Sequence, residues 1–267
     1  MTSIDSLKKS VKDQSVVLFV GAGISASLGI PTYSQLMEHI AEELGYDAAV
    51  FTLLGRDYLE LAEYYQLQTG SIGPLRSWMD REWDKIPQPI SESKIHQLIV
   101  ELDFPIIYTT NYDRWLERTF DHYKQKYVRI ATVKDLTKAN GTDTQIVKFH
   151  GDFDHDDSIV LTETSFFERL DFESPMDLKL RSDCLGRSLL FLGYGLADIN
   201  LRLLLFKLNR LWKSSAYASA RPQSFLFSPR PNPVQQAILN SRGVTFISSD
   251  ELDMTKSVEA FLESLKS

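Results

Sequence analysis

The sequence predicts an α/β fold: a Rossmann-like, doubly wound, mostly parallel sheet with a small helical subdomain inserted after the first strand. Three observations carry that expectation. Short apolar runs alternate with longer stretches of 3.6-residue periodicity, the pattern of strands crossed by helices. The apolar share, 43% of 267 residues, is that of a folded globular chain, and the length suits one large domain or two small ones. Four of the apolar runs end in glycine or polar residues, and in an open parallel sheet such ends share one crevice. The chain is read as one domain over 1–267, with a helical insertion at about 31–105.

The expected strands are Val16–Val20, Ile106–Tyr108, Val128–Thr132, Ile146–Phe149, Ile159–Leu161, Ser188–Leu192, Ser224–Phe227 and Val244–Ile247. Between the first two lie stretches with helical spacing: Tyr33–Leu44, Tyr58–Leu67, Leu75–Trp83 and Lys94–Glu101. A βα unit needs one crossover helix, so this block reads as an insertion. Its edges are Gly29-Ile30-Pro31 on one side, and Ile86-Pro87-Gln88-Pro89 with Phe104-Pro105 on the other. A later helix, Asp198–Lys213, places Leu201, Leu204, Leu205, Leu208, Leu211 and Trp212 on one face and Leu203 with Phe206 on the other. A helix apolar on two sides is either fully buried or lies at a subunit contact. From Lys179 to Arg230 there are nine basic and two acidic residues, a local charge of +7. That stretch is either a solvated basic face or an interface with a partner protein or nucleic acid.

Composition narrows the chemistry. One cysteine, Cys184, excludes an intramolecular disulfide and any site that needs several thiolates. No apolar run approaches the ~18 residues of a membrane span, and Met1 to Asp13 lacks the apolar core of a signal peptide. A reducing cytoplasm is the expected location. The net charge of −7 argues against a chain-wide phosphate-binding surface.

Each of the four strand ends has its own chemistry. Gly21-x-Gly23-x-x-Ala26 follows the first strand, where glycines permit a tight turn and let backbone N–H groups approach a diphosphate. The alternative is a simple left-handed turn. The acidic ribose ligand usual for hydride-transfer enzymes would fall in helix near Glu38 to Glu43, so an ordinary dehydrogenase fits poorly. Asn111, in Thr109-Thr110-Asn111-Tyr112-Asp113, can donate and accept toward a ribose hydroxyl or a water, or can form an Asx turn or helix cap. Asp113 either binds a carboxamide or charges the first turn of a helix. His150 stands before Gly151-Asp152, and a neutral imidazole nitrogen can accept a proton, so it can act as a base. The fourth end is Gly193-Tyr194-Gly195. His39, His96 and His122 fall in helical stretches and receive no role. A rival reading takes His150, Asp152, Asp154, His155, Asp156 and Asp157 as metal ligands, but Phe153 and Ser158 suit a polar turn better. No metal is expected.

Together the four motifs resemble the sirtuin superfamily. Gly21-Ala22-Gly23-Ile24-Ser25 with Gly29-Ile30-Pro31 is similar to its first signature, Thr110-Asn111-Tyr112-Asp113 to its Thr-Gln-Asn-Ile-Asp element, and His150-Gly151 to its His-Gly. Gly193-Tyr194-Gly195 sits where sirtuins carry a Gly-Thr-Ser turn. Two departures stand out. A single cysteine cannot build the four-cysteine zinc module of sirtuin deacylases, and Thr32-Tyr33-Ser34 replaces their Asp-Phe-Arg. The likeness is greater to sirtuin-like domains of bacterial anti-phage systems, which destroy NAD. That resemblance implies an NAD+ glycohydrolase that cleaves the nicotinamide–ribose bond to give nicotinamide and ADP-ribose. It implies catalytic roles for Asn111, His150 and Asp113. Gly21, Ala22, Gly23, Ser25, Thr110, Gly193, Tyr194 and Gly195 would bind NAD. The backbone N–H groups of Ala22 and Gly23 and the Ser25 hydroxyl are assigned to the diphosphate. Asn111 would orient ribose and water, Asp113 would hold the carboxamide, and His150 would act as base. The implied partners are a second copy of the chain and an ATPase of the DNA-translocase type or another defence protein, with no membrane and with direct nucleic-acid binding left open. The alternatives are an NAD- or ADP-ribose-binding module without turnover and a zinc-free deacylase.

Overall fold

The computed structural model describes residues 3–266 except 32, 55–56, 86–88, 140, 156–157, 171–172, 195–198 and 231. The first helix, α1 (Ser3–Lys12), leads into β1 (Val16–Val20), followed by α2 (Ala22–Ala26), α3 (Tyr33–Glu43), α4 (Ala48–Leu54), α5 (Tyr58–Thr69), α6 (Gly73–Trp83) and α7 (Lys94–Glu101). Then come β2 (Ile106–Thr109), α8 (Trp115–His122), β3 (Tyr127–Ile130), β4 (Thr144–Lys148), α9 (Glu163–Glu168), α10 (Pro175–Leu185) and β5 (Ser188–Leu192). The last elements are α11 (Ile199–Lys213), β6 (Ser224–Ser228), α12 (Pro233–Ser241), β7 (Val244–Ser248) and α13 (Met254–Leu265).

The seven strands form one sheet in the order β3-β4-β2-β1-β5-β6-β7, and every pairing is parallel. The chain winds outward from β1 to one side and then to the other, as a doubly wound fold does. All five residues of β1, Val-Val-Leu-Phe-Val, are buried, because helices cover both faces. Alternate residues serve different layers. Val16, Leu18 and Val20 pack with α1, α7, α8 and α13, while Val17 and Phe19 pack with α10, α11 and α12.

A third core is built mostly from the 31–105 segment, with Leu36, Met37, Ile40, Phe51, Leu61, Tyr65, Leu75, Met79 and Trp83, and is completed by Tyr112, Trp115 and Phe153 from beyond it. An ion pair and a hydrogen bond fasten it to the sheet: Arg114 pairs with Asp80 at 2.6 Å, and Trp115 Nε1 donates to the Trp83 carbonyl at 2.9 Å. Helix α7 packs elsewhere. Its Ile95, Leu98 and Ile99 join the layer under β1, so α7 acts as the crossover helix for β2. Helix α4 was not expected; Phe51 is buried while Leu53 and Leu54 are exposed, too weak a periodicity to read.

One expected strand does not form. Residues Ile159–Leu161 are buried but pair with no strand: the Val160 N–H donates to the His150 carbonyl at 3.0 Å, and the Val160 carbonyl accepts from the Tyr112 hydroxyl at 2.7 Å. The Ile159 and Leu161 side chains pack into the third core instead. Strand β3 stops before Thr132, because the Asp135 carboxylate accepts from the Ala131 and Thr132 amides and turns the chain. On α11, Leu201, Leu204, Leu205 and Leu208 are buried as expected, but Leu211 is exposed, as is Phe206 on the opposite face. Ile86, Pro87, Gln88, Asp198 and Thr32 lie outside the described residues.

Candidate functional site

Register places the strand ends side by side. Val20 is level with Thr109 of β2 and with Leu192 of β5, and Thr109 is level with Lys148 of β4. Gly21, Thr110 and Gly193 therefore leave the sheet together. The Gly21 amide donates to the Leu192 carbonyl at 2.9 Å and the Gly23 amide to the Gly193 carbonyl at 3.0 Å. A Cβ on Gly21 would lie 2.6 Å from the Gly193 oxygen, and one on Gly193 would lie 2.7 Å from the Ile24 nitrogen. Gly193 also has φ +68°, which L side chains rarely adopt. These glycines let two turns interlock, a demand that holds whatever binds there.

The second strand end is tied to the first. Thr109 Oγ1 donates to the Val20 carbonyl at 2.8 Å and accepts from the Asn111 amide at 3.0 Å. Beyond it, Asn111 Nδ2 meets Ser25 Oγ at 2.8 Å, and Ser25 Oγ meets Asp113 Oδ2 at 2.8 Å. A carboxylate only accepts, so the Ser25 hydroxyl donates to Asp113 and in turn accepts from the Asn111 NH2 group. This sequence of donors turns the Asn111 carbonyl oxygen away from Ser25. Asp113 is buried, and its Oδ1 accepts from the Trp115 amide at 3.1 Å, charging the first turn of α8.

Two of the expected diphosphate contacts are otherwise engaged. The Gly23 N–H is donated to Gly193, and the buried Ser25 hydroxyl is donated to Asp113, so neither points a proton outward. Ala22 and Gly23 are themselves exposed. Asp113, expected to hold a carboxamide, has both oxygens inside the network. Thr110 Oγ1 lies 3.1 Å from the Tyr194 hydroxyl, which joins the β2 and β5 ends. His150 follows β4, buried, with its ring edge-on to Phe166 (centroids 5.0 Å) and against Phe149 (5.7 Å). Gly151 after it has φ +84°, and a Cβ there would lie 2.2 Å from the Ser158 carbonyl oxygen, so the turn requires glycine. Gly195 lies outside the described residues, with Leu196 and Ala197.

The rival metal cluster is occupied by arginines. Asp154 pairs with Arg114 and Arg129, and Asp152 pairs with Arg129 at 3.3 Å and accepts from His155 at 3.0 Å. These hydrogen bonds hold the Asp154 carboxyl down at about 2, that from Arg129 contributing most. Among the described residues no three His, Cys, Asp or Glu side chains are grouped to hold a metal; Asp156 and Asp157 lie outside them.

Three further residues belong to the site and were missed. Lys148 of β4 is fully buried, and its ammonium donates to the Asp113 carbonyl. Glu117 of α8, also buried, lies 3.5 Å from that ammonium. His96 of α7 is buried against Ser93, its Nδ1 2.7 Å from the hydroxyl. Burial pushes its pKa down to about 4, against the opposing charge of Asp113, so it is neutral near pH 7. The one available signal was the lysine interrupting Ile146-Val147-Lys148-Phe149.

Comparisons with known proteins agree with this architecture. The family model described as "SIR2-like domain" matches residues 105–247. The chain is 30% identical over 206 residues to the NAD(+) hydrolase ThsA of Enterococcus faecium, covering 76% of this chain and 41% of that protein. It is 25% identical to Defense-associated sirtuin 2 of Bacillus subtilis, covering 98% of this chain and 26% of that protein. The chain thus spans about two fifths or less of these curated relatives. Among solved structures, a Sir2 homolog in complex with NAD superposes with TM-score 0.55 at 12% identity, over 98% of this chain and 93% of that one. A second Sir2 enzyme structure gives 0.53 at 14% identity, over 100% and 98%. Fold, motif order and family match together lead to one conclusion: the chain belongs to the SIR2-like domain family.

Proposed function

We propose that this chain is an NAD+ glycohydrolase domain, cleaving the nicotinamide–ribose bond to give nicotinamide and ADP-ribose, and that it serves in defence by depleting cytoplasmic NAD. The observation that carries the reading is the directed relay from Asn111 through Ser25 to Asp113 at the carboxyl ends of β1 and β2. It leaves the Asn111 carbonyl oxygen as an acceptor for a ribose hydroxyl or a water, beside the turns of Gly21 and Gly193. The names of the relatives, NAD(+) hydrolase and defense-associated sirtuin, support the same substrate and setting.

The chemistry suits such a site. Nicotinamide leaves as a neutral molecule from a cationic ring, so no general acid is needed. The protein has to hold the ribose, stabilise a developing oxocarbenium charge and align a water. In this reading Asn111 orients the ribose and the water, and His150 takes a proton from that water or from a ribose hydroxyl. Asp113, closed inside the network, sets Asn111 and places negative charge behind the reacting carbon. Gly21, Ala22, Gly23, Thr110, Gly193 and Tyr194 shape the dinucleotide cleft, Gly23 through its backbone contact with Gly193 and Ser25 through Asn111. Exposed Ile199, Phe206 and Leu211 on α11 support a homo-oligomer through that helix. A partner ATPase or other defence protein would act as trigger. No helix among the described residues is long and apolar enough to cross a membrane.

The test follows NAD by chromatography with the chain alone and with the product of its neighbouring gene. Nicotinamide and ADP-ribose should appear in equal amounts, and Asn111→Ala and His150→Ala should each lower the rate by about 10²-fold or more. NAD that stays intact in both incubations, while still raising the melting temperature, would replace this reading with a binding module.

A further inference from the structure

Lys148 and Glu117 are two opposite charges buried beneath the Asn111 turn, and the mechanism above uses neither. Lys148 ranks among the largest fully buried side chains of the protein. Its ammonium donates to the main-chain carbonyl of Asp113, in the 110–114 segment that has no helix or strand of its own. Among the described residues neither Glu117 oxygen accepts a hydrogen bond; the Lys148 ammonium lies 3.5 Å from it, and the Arg129 guanidinium is a further cation acting on it. A buried ion pair with so few hydrogen bonds costs stability, and apolar side chains of similar volume would fill the space at less expense. What the pair does supply is one arrangement of the turn, since the ammonium fixes a carbonyl to which, among the described residues, no main-chain N–H outside the regular elements donates.

We propose that Lys148, held by Glu117, is the positioning residue for Asn111. The connection is continuous. The Lys148 ammonium donates to the Asp113 carbonyl, the Asp113 carboxylate accepts a hydrogen bond from the Ser25 hydroxyl, and Ser25 accepts one from the Asn111 amide. Lys148 is also level with Thr109, whose hydroxyl holds the Asn111 backbone from the other side. Removing the ammonium lets the Asp113 peptide rotate, and the displacement reaches the Asn111 carbonyl through two hydrogen bonds. The inference rests on the reading of this site as NAD-hydrolysing, because only then does the orientation of Asn111 govern a rate.

The experiment compares the wild-type chain with Lys148→Met, Glu117→Gln and the double variant Lys148→Met/Glu117→Gln. Lys148→Met should lower kcat for NAD hydrolysis by about 10²-fold with KM changed less than about 3-fold, the signature of lost alignment. The double variant removes both charges of the pair, so it should melt near the wild-type temperature and still turn over as slowly as Lys148→Met. A double variant that regains both melting temperature and kcat would overturn the proposal, as would a folded Lys148→Met with full kcat. If Lys148→Met does not fold, the double variant decides. A second readout is independent of turnover: hydrogen exchange of the Asn111 side-chain amide by NMR. Its protons should be protected in the wild type and lose that protection in the double variant; unchanged protection would also overturn the proposal. If the wild type leaves NAD intact, the functional reading fails by itself, and the NMR comparison still judges the positioning role.

Discussion

Ser25→Ala removes the central link of the relay and nothing else of size. The serine is buried, accepts from Asn111 Nδ2 at 2.8 Å and donates to Asp113 Oδ2 at 2.8 Å. Asp113 is itself buried, so the lost bond is charge-assisted and unreplaced by bulk water, a loss of about 1.5–3 kcal/mol. Asn111 is half-exposed, so water can replace most of its lost bond, adding about 0.5 kcal/mol. The expected destabilisation is about 2–3.5 kcal/mol, a fall in Tm of about 4–14 °C for a chain of this size. Urea unfolding followed by tryptophan fluorescence reads it, since Trp115 takes its amide contact from the same carboxylate. Asp113→Asn and the double variant complete a cycle, and a coupling of about 1 kcal/mol or more is expected between side chains in direct contact. A change below about 0.5 kcal/mol in Ser25→Ala, with additive behaviour in the cycle, would refute the relay.

Other expectations follow from the same coordinates. Gly193→Ala should destabilise by about 2–4 kcal/mol, from the left-handed φ and the close approach to Ile24, whereas Gly45→Ala, at φ +74° with nothing within 4 Å, should cost about 1 kcal/mol in the same urea titration. His96 is held neutral in the folded chain with its pKa lowered to about 4, so the unfolded chain binds the proton more readily. Its contribution is complete above about pH 6.5 and is lost as pH falls toward 4, on the order of 3 kcal/mol, and His96→Gln should flatten that limb of the stability curve. Asp154 is depressed to about 2 by its arginines, so its contribution is present above about pH 4 and lost between 4 and 2. Asp154→Asn should remove that acid limb in a pH series of melting curves.

Periodicity and turn chemistry made the scaffold legible. The runs of β1, β2, β5 and β6 are buried on both faces and bounded by glycine or polar residues, so local sequence determined that they are strands of a parallel sheet. It also determined that Gly21, Asn111, His150 and Gly193 stand at strand ends, because those residues directly follow the runs. Tertiary structure decided what each of them does. Ile159–Leu161 has the composition of a strand, yet its backbone is taken by His150 and Tyr112, partners far away in sequence or reached through a side chain. Helix α7 reads like its neighbours in the insertion, and only packing against α13 and α8 assigns it to the sheet layer. Ser25 and Asp113 looked like ligand contacts because serine and aspartate at strand ends often are. Separated by 88 positions, they also meet each other, and long-range pairing of polar groups leaves no periodic trace. The same holds for Lys148 and Glu117: a charge that sequence places in a strand or a helical turn reveals its role only when the opposite charge arrives from another layer.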